Sequence, residues 1–288
     1  MDKLFQKQAV LFYGRQFFLS LVVCCFFGVA DAQDIGKRKL VFDDEFNYSG
    51  LPDSTKWTYE KGFVRNSEPQ YYTVKRAENC RVDNGMLVIE ARKETYPNAA
   101  YKAGSIKPNE NKQFAQYTSA SINTSGIKSW KYGRVEVRAK VPGGLGTWPA
   151  IWMLGDNHTV AKWPKCGEID IMEFLGRDPM RVHGTVHYAD SAGKHEQQGQ
   201  SPVVGGPEDG FHIYAVDWNE KQVSFYYDSL KYFVFEYDKA KVNPANTFKK
   251  NFYLLLDLAL GDQSNWAGPL EEKILPSKFY VDYVRIYQ

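Results

Sequence analysis

The chain has little cysteine: four among 288 residues, and two of these, Cys24 and Cys25, fall in an apolar stretch near the N-terminus. The remaining pair, Cys80 and Cys166, is too few for a disulfide framework. Both read as free, buried thiols, with a bridge as the alternative that spacing alone does not place. Charge of one sign is missing as well. Lys and Arg number 36 against 34 Asp and Glu, a net +2, which leaves no electrostatic footprint for nucleic acid and no acidic tail. No apolar run reaches the roughly 20 residues of a membrane span. Linkers, internal repeats and low-complexity tracts are absent, and no stretch of about a dozen residues carries a helical stripe. With 43% hydrophobic and 24% charged residues, the composition is that of a globular protein with an ordinary core. A chain of this size buries roughly three quarters of its extended surface without staples.

The N-terminus does have a pattern. Lys3, Lys7 and Arg15 precede an apolar run from Phe17 to Ala30, and Ala30-Asp31-Ala32 supplies a small-x-small cleavage site. This predicts a signal peptide over residues 1–32, a mature chain from Gln33, and an exported protein, whether periplasmic, extracellular or surface-held. A lipobox at Cys24 is disfavoured by Val23 before it. Residues 33–288 then form one domain, expected to be a monomer. Period-two alternation recurs at Arg134–Val141, Val82–Arg92, Gln222–Tyr227, Asn251–Leu260 and Phe279–Tyr287. Turn signals such as Asp83-Asn84-Gly85 and Pro142-Gly143-Gly144 separate such segments. Many short strands with regular turns predict an all-β sandwich of two curved antiparallel sheets, whose concave face would form a cleft for a long polymer. Aromatic residues are abundant, with 7 Trp, 19 Tyr and 18 Phe. Most serve a β core, and a few Trp are left to stack on sugar faces.

The densest chemistry lies in Gly167–Glu173, G-E-I-D-I-M-E. On a strand Glu168 and Asp170 share a face while Ile169 and Ile171 point the other way. Strict alternation would drive Glu173 into the core, a costly place for a charge. One extra residue at Ile171-Met172, a β-bulge, returns Glu173 to the face of the other two acids. Crowded acids split their protonation. That split is what glycoside hydrolysis uses, one carboxylate attacking while another holds a proton for the leaving oxygen. Trp148 and Trp152 lie four apart upstream. His183, Thr185 and His187 share a face of the next strand. No H-E-x-x-H helix and no Cys/His spacing fits a zinc site, so no cofactor is expected for catalysis.

The segments G-T-W-P-A-I-W-M-L, W-P-K-C-G-E-I-D-I-M-E and G-T-V-H-Y resemble glycoside hydrolase family 16, especially its bacterial laminarinase-type endo-β-glucanases. F-D-D-E-F, Asn66 with Glu68, Y-G-R-V-E-V-R-A-K-V-P, F-H-I-Y-A-V-D-W and the closing D-Y-V-R-I-Y extend the similarity over nearly the whole mature chain. The resemblance implies a β-jelly-roll and a retaining endo-hydrolase of β-1,3 or mixed β-1,3/1,4-glucan. Glu168 would be the nucleophile, Glu173 the acid/base and Asp170 the helper of Glu168. It further implies that Trp148, Trp152 and Asn66 contact the sugars on the non-reducing side, that His187 lies by the leaving group, and that Trp163 and Trp266 wall the groove. A structural Ca²⁺ held by Glu45, Gly85 and Asp282 would also follow. The chain departs from the family at Asp257 and Asp262, within L-D-L-A-L-G-D, and at Asp217. Hydrolysis of algal galactans and non-catalytic glucan binding are the alternative functions. Loss of the glutamates would mark the latter, and all three acids are present.

Overall fold

The computed structural model describes residues 38–240, 242 and 246–288. The expected signal peptide and its cleavage site lie outside the described residues. The first strands are β1 (Leu40–Asp44), β2 (Thr58–Tyr59), β3 (Gln70–Tyr72), β4 (Cys80–Asp83), β5 (Met86–Pro97) and β6 (Phe114–Ser119). The middle of the chain supplies β7 (Ser121–Asn123), β8 (Gly133–Lys140), β9 (Thr147–Gly155), β10 (Glu168–Glu173), β11 (His183–Ala189) and β12 (His195–Gln200). The last are β13 (His212–Trp218), β14 (Gln222–Tyr227), β15 (Leu230–Glu236), β16 (Phe252–Leu260) and β17 (Ser277–Tyr287). Among the described residues the α-helices are single turns, His158–Ala161 and Tyr237–Ala240, as the missing helical stripe predicts.

The strands form two sheets, which realise the expected all-β jelly-roll sandwich. One runs β15-β14-β13-β8-β17-β5-β6-β3 with β1 and β4 attached, and the other runs β12-β11-β10-β9-β16-β7-β2. Pairing is antiparallel except for β3 on β6, which is parallel. The segment Val82–Arg92, expected as one alternating stretch, crosses a hairpin. Asn84 and Gly85 both take positive φ, 52° and 74°, the backbone that a two-residue turn between right-twisted strands requires.

Alternation decides which side chains face the second sheet. From the seven-stranded sheet, Ile151 and Met153 of β9 and Leu254, Leu256 and Leu258 of β16 enter the main core. They meet Leu87, Ile89, Val135, Val137, Val281 and Val284 from the ten-stranded sheet. The intervening Ala150, Trp152, Tyr253 and Leu255 gather on the opposite face. Since β9 and β16 are buried on both faces, that second face is a dry floor rather than an ordinary solvated sheet surface. Cys80 and Cys166 are free and buried.

Strand β10 carries the expected bulge. Its pairing with β9 passes from Asp170↔Trp152 to Met172↔Ile151, skipping Ile171. Consecutive Ile171 and Met172 both point into the core, at 1% and 0% exposure. Ile171→Ala and Met172→Ala are each expected to lower unfolding free energy by about 2–5 kcal/mol, the range for truncating a packed core side chain. Urea denaturation checks this. Without a bulge Met172 would sit on the cleft face, and its truncation would leave stability nearly unchanged.

Candidate active site

Gly167 precedes β10 with φ 81°. A Cβ there would stand 2.6 Å from Thr247 Cγ2, so glycine both makes the turn and lets the chain enter the strand. From there the bulge places Glu168, Asp170 and Glu173 on one face, and all three line a cleft of about 410 Å³ together with Trp148, Trp152 and Trp163. A second cavity of about 600 Å³ continues from the same Glu168 and Glu173 toward His183, His187, His195 and Trp266. The acids therefore stand where two halves of one groove meet, as an endo-acting enzyme needs. Asn66, at φ 53°, lines both halves.

Each acid has its own polar neighbour. Trp148 Nε1 donates to Glu173 Oε1 at 3.0 Å. His187, paired with Glu168 across the β10–β11 ladder, brings Nε2 to 3.2 Å from Asp170 Oδ2 and 3.9 Å from Glu168 Oε1. Burial raises all three carboxyl groups. Glu168 is pushed up to about 8, mainly by burial and then by the charge of Asp170, with His187 opposing. Asp170 rises to about 7 by burial, while its hydrogen bond with Glu168 pulls the other way. Glu173 is held well above the usual carboxylate range by burial and the Asp170 charge, against the Trp148 hydrogen bond. The group best able to keep a proton at neutral pH is Glu173. Glu168, Asp170 and His187 offer ligand atoms within 4.8 Å of one another. That spacing is open to a cation as well as to a shared proton. Glu168 and Asp170 are close enough for each to shift the other's titration.

The walls come from loops. Trp163 stays 49% exposed and Trp266 39% exposed, the exposure a stacking platform needs. Trp163 packs on His195 with centroids 4.4 Å apart. Trp266 meets Trp148 edge-on at 5.7 Å. Trp152 is different. It lines the cleft, but the Arg65 guanidinium lies 4.9 Å from its ring, and its Nε1 donates to Asp257 Oδ1 at 2.7 Å.

That contact opens a network which sequence reasoning finds only in part. Asp257, a departure from the family pattern that adds charge where it reaches the cleft, does line it. Tyr72 Oη donates to Asp257 Oδ2 at 3.0 Å and also stands 3.1 Å from Glu68 Oε2. Gln70 Nε2 and Asn66 Nδ2 donate to Glu68 at 2.7 and 3.2 Å. Burial raises Glu68 to about 7 and Asp257 to about 6, with Arg65 opposing both. Arg65 is ion-paired with Glu60. Arg65, Tyr72 and His195 are not anticipated by the sequence. Alternation and spacing carry no sign of them, because each reaches the site from another strand or loop.

The ligands expected for calcium are the Asp282 carboxylate and the backbone carbonyls of Gly85 and Glu45. Glu45 receives two hydrogen bonds from Arg285, at 2.7 and 2.8 Å. Asp282 pairs with Arg138, and Gly85 forms the β4–β5 turn. Only Asp282 is expected to offer its carboxylate, so the contact a cation would have to displace is that of Arg138. Asp217, the other departure, pairs with Arg38 on the ten-stranded sheet.

Comparison with known proteins places this geometry. The model of glycosyl hydrolases family 16 matches residues 67–274. A beta-glucanase of Rhodothermus marinus is 40% identical over 94% of this chain and 93% of its own length. The crystal structure of the laminarinase from Rhodothermus marinus superposes with a TM-score of 0.75, at 40% identity, over 87% of this chain and 97% of that one. A structure from work on endo-acting O-glycanases, which prominent members of the human gut microbiota express to initiate mucin breakdown, gives 0.81 at 35% identity, over 88% and 91% of the two chains. The matched segment holds all three acids of the bulged strand and both cleft tryptophans of β9, and this chain belongs to glycosyl hydrolase family 16.

Proposed function

We propose that the protein is an exported, retaining endo-β-glucanase that cuts internal β-1,3 or mixed β-1,3/1,4 linkages. The observation that carries the reading is the bulged β10, which turns Glu168, Asp170 and Glu173 onto the floor of a groove open on both sides. The likeness to the Rhodothermus marinus beta-glucanase supports the substrate class. The leader-like residues 1–32 support export.

In the first step Glu168, ionised, attacks the anomeric carbon as Glu173 gives its proton to the departing glycosidic oxygen. A glycosyl ester on Glu168 forms and the glycosidic C–O bond breaks. In the second step Glu173, now a carboxylate, takes a proton from water, whose oxygen attacks the same carbon and releases Glu168. Two inversions retain configuration. Asp170, hydrogen-bonded to Glu168, takes the proton the two share and so leaves the nucleophile charged. The floor formed by Trp152, Tyr253 and Leu255 keeps the dielectric low, which strengthens these interactions. Trp148 and Asn66 contact sugars on the non-reducing side of the cut. Trp163 and Trp266 stack as the walls, and His187 lies toward the leaving group.

A second reading, cleavage of mucin O-glycans rather than β-glucan, is supported by the 0.81 TM-score to the structure from work on endo-acting O-glycanases. Product sizing after digestion of laminarin, mixed-linkage β-glucan, agarose, carrageenan and mucin O-glycans separates the two. Oligosaccharides from the glucans are expected. Release from the galactans or mucin alone would keep the mechanism and move the substrate.

Glu168→Ala is expected to abolish turnover in a protein that still folds. Glu173→Ala should lower kcat on the polysaccharide by roughly 10²–10⁴-fold, the usual share of general acid–base catalysis. The same variant should retain most activity on aryl glycosides whose leaving group needs no proton. Equal loss on both substrates would remove Glu173 from the acid role.

The raised carboxyl of Glu168 also links stability to pH. Glu168 and Asp170 rise to about 8 and about 7 from 4.5 and 3.8, so the native pair retains a proton, on whichever of the two carboxyls, that the unfolded chain has released. The contribution of that proton is full below the unfolded values and lost as pH rises through about 8. Glu168→Gln, which does not titrate, should therefore gain in unfolding free energy over the parent as pH goes from about 5 to about 8.5, the window in which the two states differ in bound protons. Urea titrations at the two ends measure it, and a constant difference would contradict the assignment.

A further inference from the structure

The Asp170–His187 contact continues outward to a residue that the reaction scheme leaves unused. His187 Nδ1 lies 2.9 Å from His195 Nε2, and the two ring planes are within 20° of each other with centroids 5.2 Å apart, the spacing of an edge-to-edge contact. His195 opens β12 and pairs through its backbone with Ala189, so a different strand from that of the acids supplies it. Trp163 packs on its ring. At the other end, Asp170 Oδ2 is buried and has no hydrogen-bond partner apart from the approach of His187 Nε2 at 3.2 Å. Three groups thus form one line, Asp170 Oδ2, the His187 ring and His195 Nε2.

A neutral imidazole carries one proton on one of two nitrogens, and the hydrogen bond at one nitrogen sets the state of the other. If His195 Nε2 is bare it accepts from His187 Nδ1–H. His187 Nε2 is then bare and can only accept, so Asp170 must hold the proton drawn from Glu168 and turn that one hydroxyl to His187. If His187 carries its proton on Nε2, it donates to an Asp170 carboxylate, and the proton shared with Glu168 stays on Glu168. The first arrangement ionises the nucleophile, and the second disarms it.

We propose that His195 is a positioning residue: by accepting the Nδ1 proton of His187 it selects the tautomer that keeps the shared proton on Asp170 and leaves Glu168 ionised. The inference rests on the reading of Glu168 as the nucleophile. Burial and the neighbouring His187 lower the His195 pKa, which keeps its ring neutral and able to accept. The other groups bearing on the line are Glu168 and Glu173 on β10, Asp257 on β16, Tyr232 on β15 and Arg65, with Lys194 and Glu196 beside His195. His195 is the partner at His187 Nδ1.

The test compares the parent with His195→Phe, which keeps a ring against Trp163 but accepts nothing, and His195→Gln, whose amide oxygen can accept. Kinetics use an aryl β-glycoside with a good leaving group, so that the pH profile reports the nucleophile rather than Glu173. His195→Phe is expected to lower kcat at least tenfold with little change in KM, and to move the acidic limb up by about one pH unit, a tenfold change in the ionisation equilibrium. His195→Gln should recover most of both. In parallel, ¹⁵N NMR of the free proteins should find His187 Nε2 bare in the parent and protonated in His195→Phe. A parent with His187 Nε2 protonated overturns the proposal whatever the substrate proves to be. So does a His195→Phe enzyme with an unmoved profile, or a His195→Gln enzyme as impaired as His195→Phe. A parent inactive on every glycoside would defeat the glucanase reading, and the NMR result would still decide the tautomer.

Discussion

Repulsion among three carboxyl groups on one six-residue strand is the constraint around which the rest is arranged. Glu168, Asp170 and Glu173 cannot all be charged on a floor from which water is largely excluded. The bulge at Ile171-Met172 creates the crowding, since without it Glu173 would enter the core. The same bulge sends two consecutive apolar side chains inward, so the core gains a residue where the cleft gains an acid. One local irregularity thereby links the packing of the sandwich to the protonation pattern of the site.

The neighbours resolve the repulsion unequally, and the inequality gives roles. Glu173 meets a single neutral donor, the Trp148 indole, and burial holds it well above the usual carboxylate range. Glu168 and Asp170 share a proton and face His187, which reaches on to His195. Behind them the tyrosine, tryptophan and arginine contacts to Asp257 and Glu68 hold the floor still. Arg65 offsets these two acids while bound to Glu60. Trp152 is consequently fixed from two sides, by Asp257 at its nitrogen and Arg65 over its ring. It serves as a rigid part of the floor more than as a free stacking plate.

What was legible in the sequence follows from how far each interaction reaches along the chain. The period of β9, β16 and β17 is local, and the strands are where alternation puts them. The bulge was legible too, because an acid at a core position has only one inexpensive remedy nearby. The turn at Asn84-Gly85 was legible as a turn signal, although the alternating stretch Val82–Arg92 runs across it. The Asp257–Tyr72–Glu68 cluster joins residues 185 positions apart, and the His187–His195 contact depends on the registration of β11 with β12. Neither leaves a mark in any window of sequence. The arginine partners of Glu45 and Asp282 are hidden for a related reason. An acid on a terminal strand does not announce its partner, and here the partners are Arg285 and Arg138.

The floor and the walls also divide chemistry from selection. The acids, Trp148 and Trp152 belong to adjacent strands of one sheet, where hydrogen-bond ladders fix their spacing. Trp163, Trp266 and the Arg65–Asn66 turn stand on connections between strands, where length and composition change without disturbing the ladder. Choice of polymer must then arise where loop side chains meet the sugar. In this chain Arg65 lines one half of the groove, Trp266 lines the other, and Asn66 and Trp163 line both.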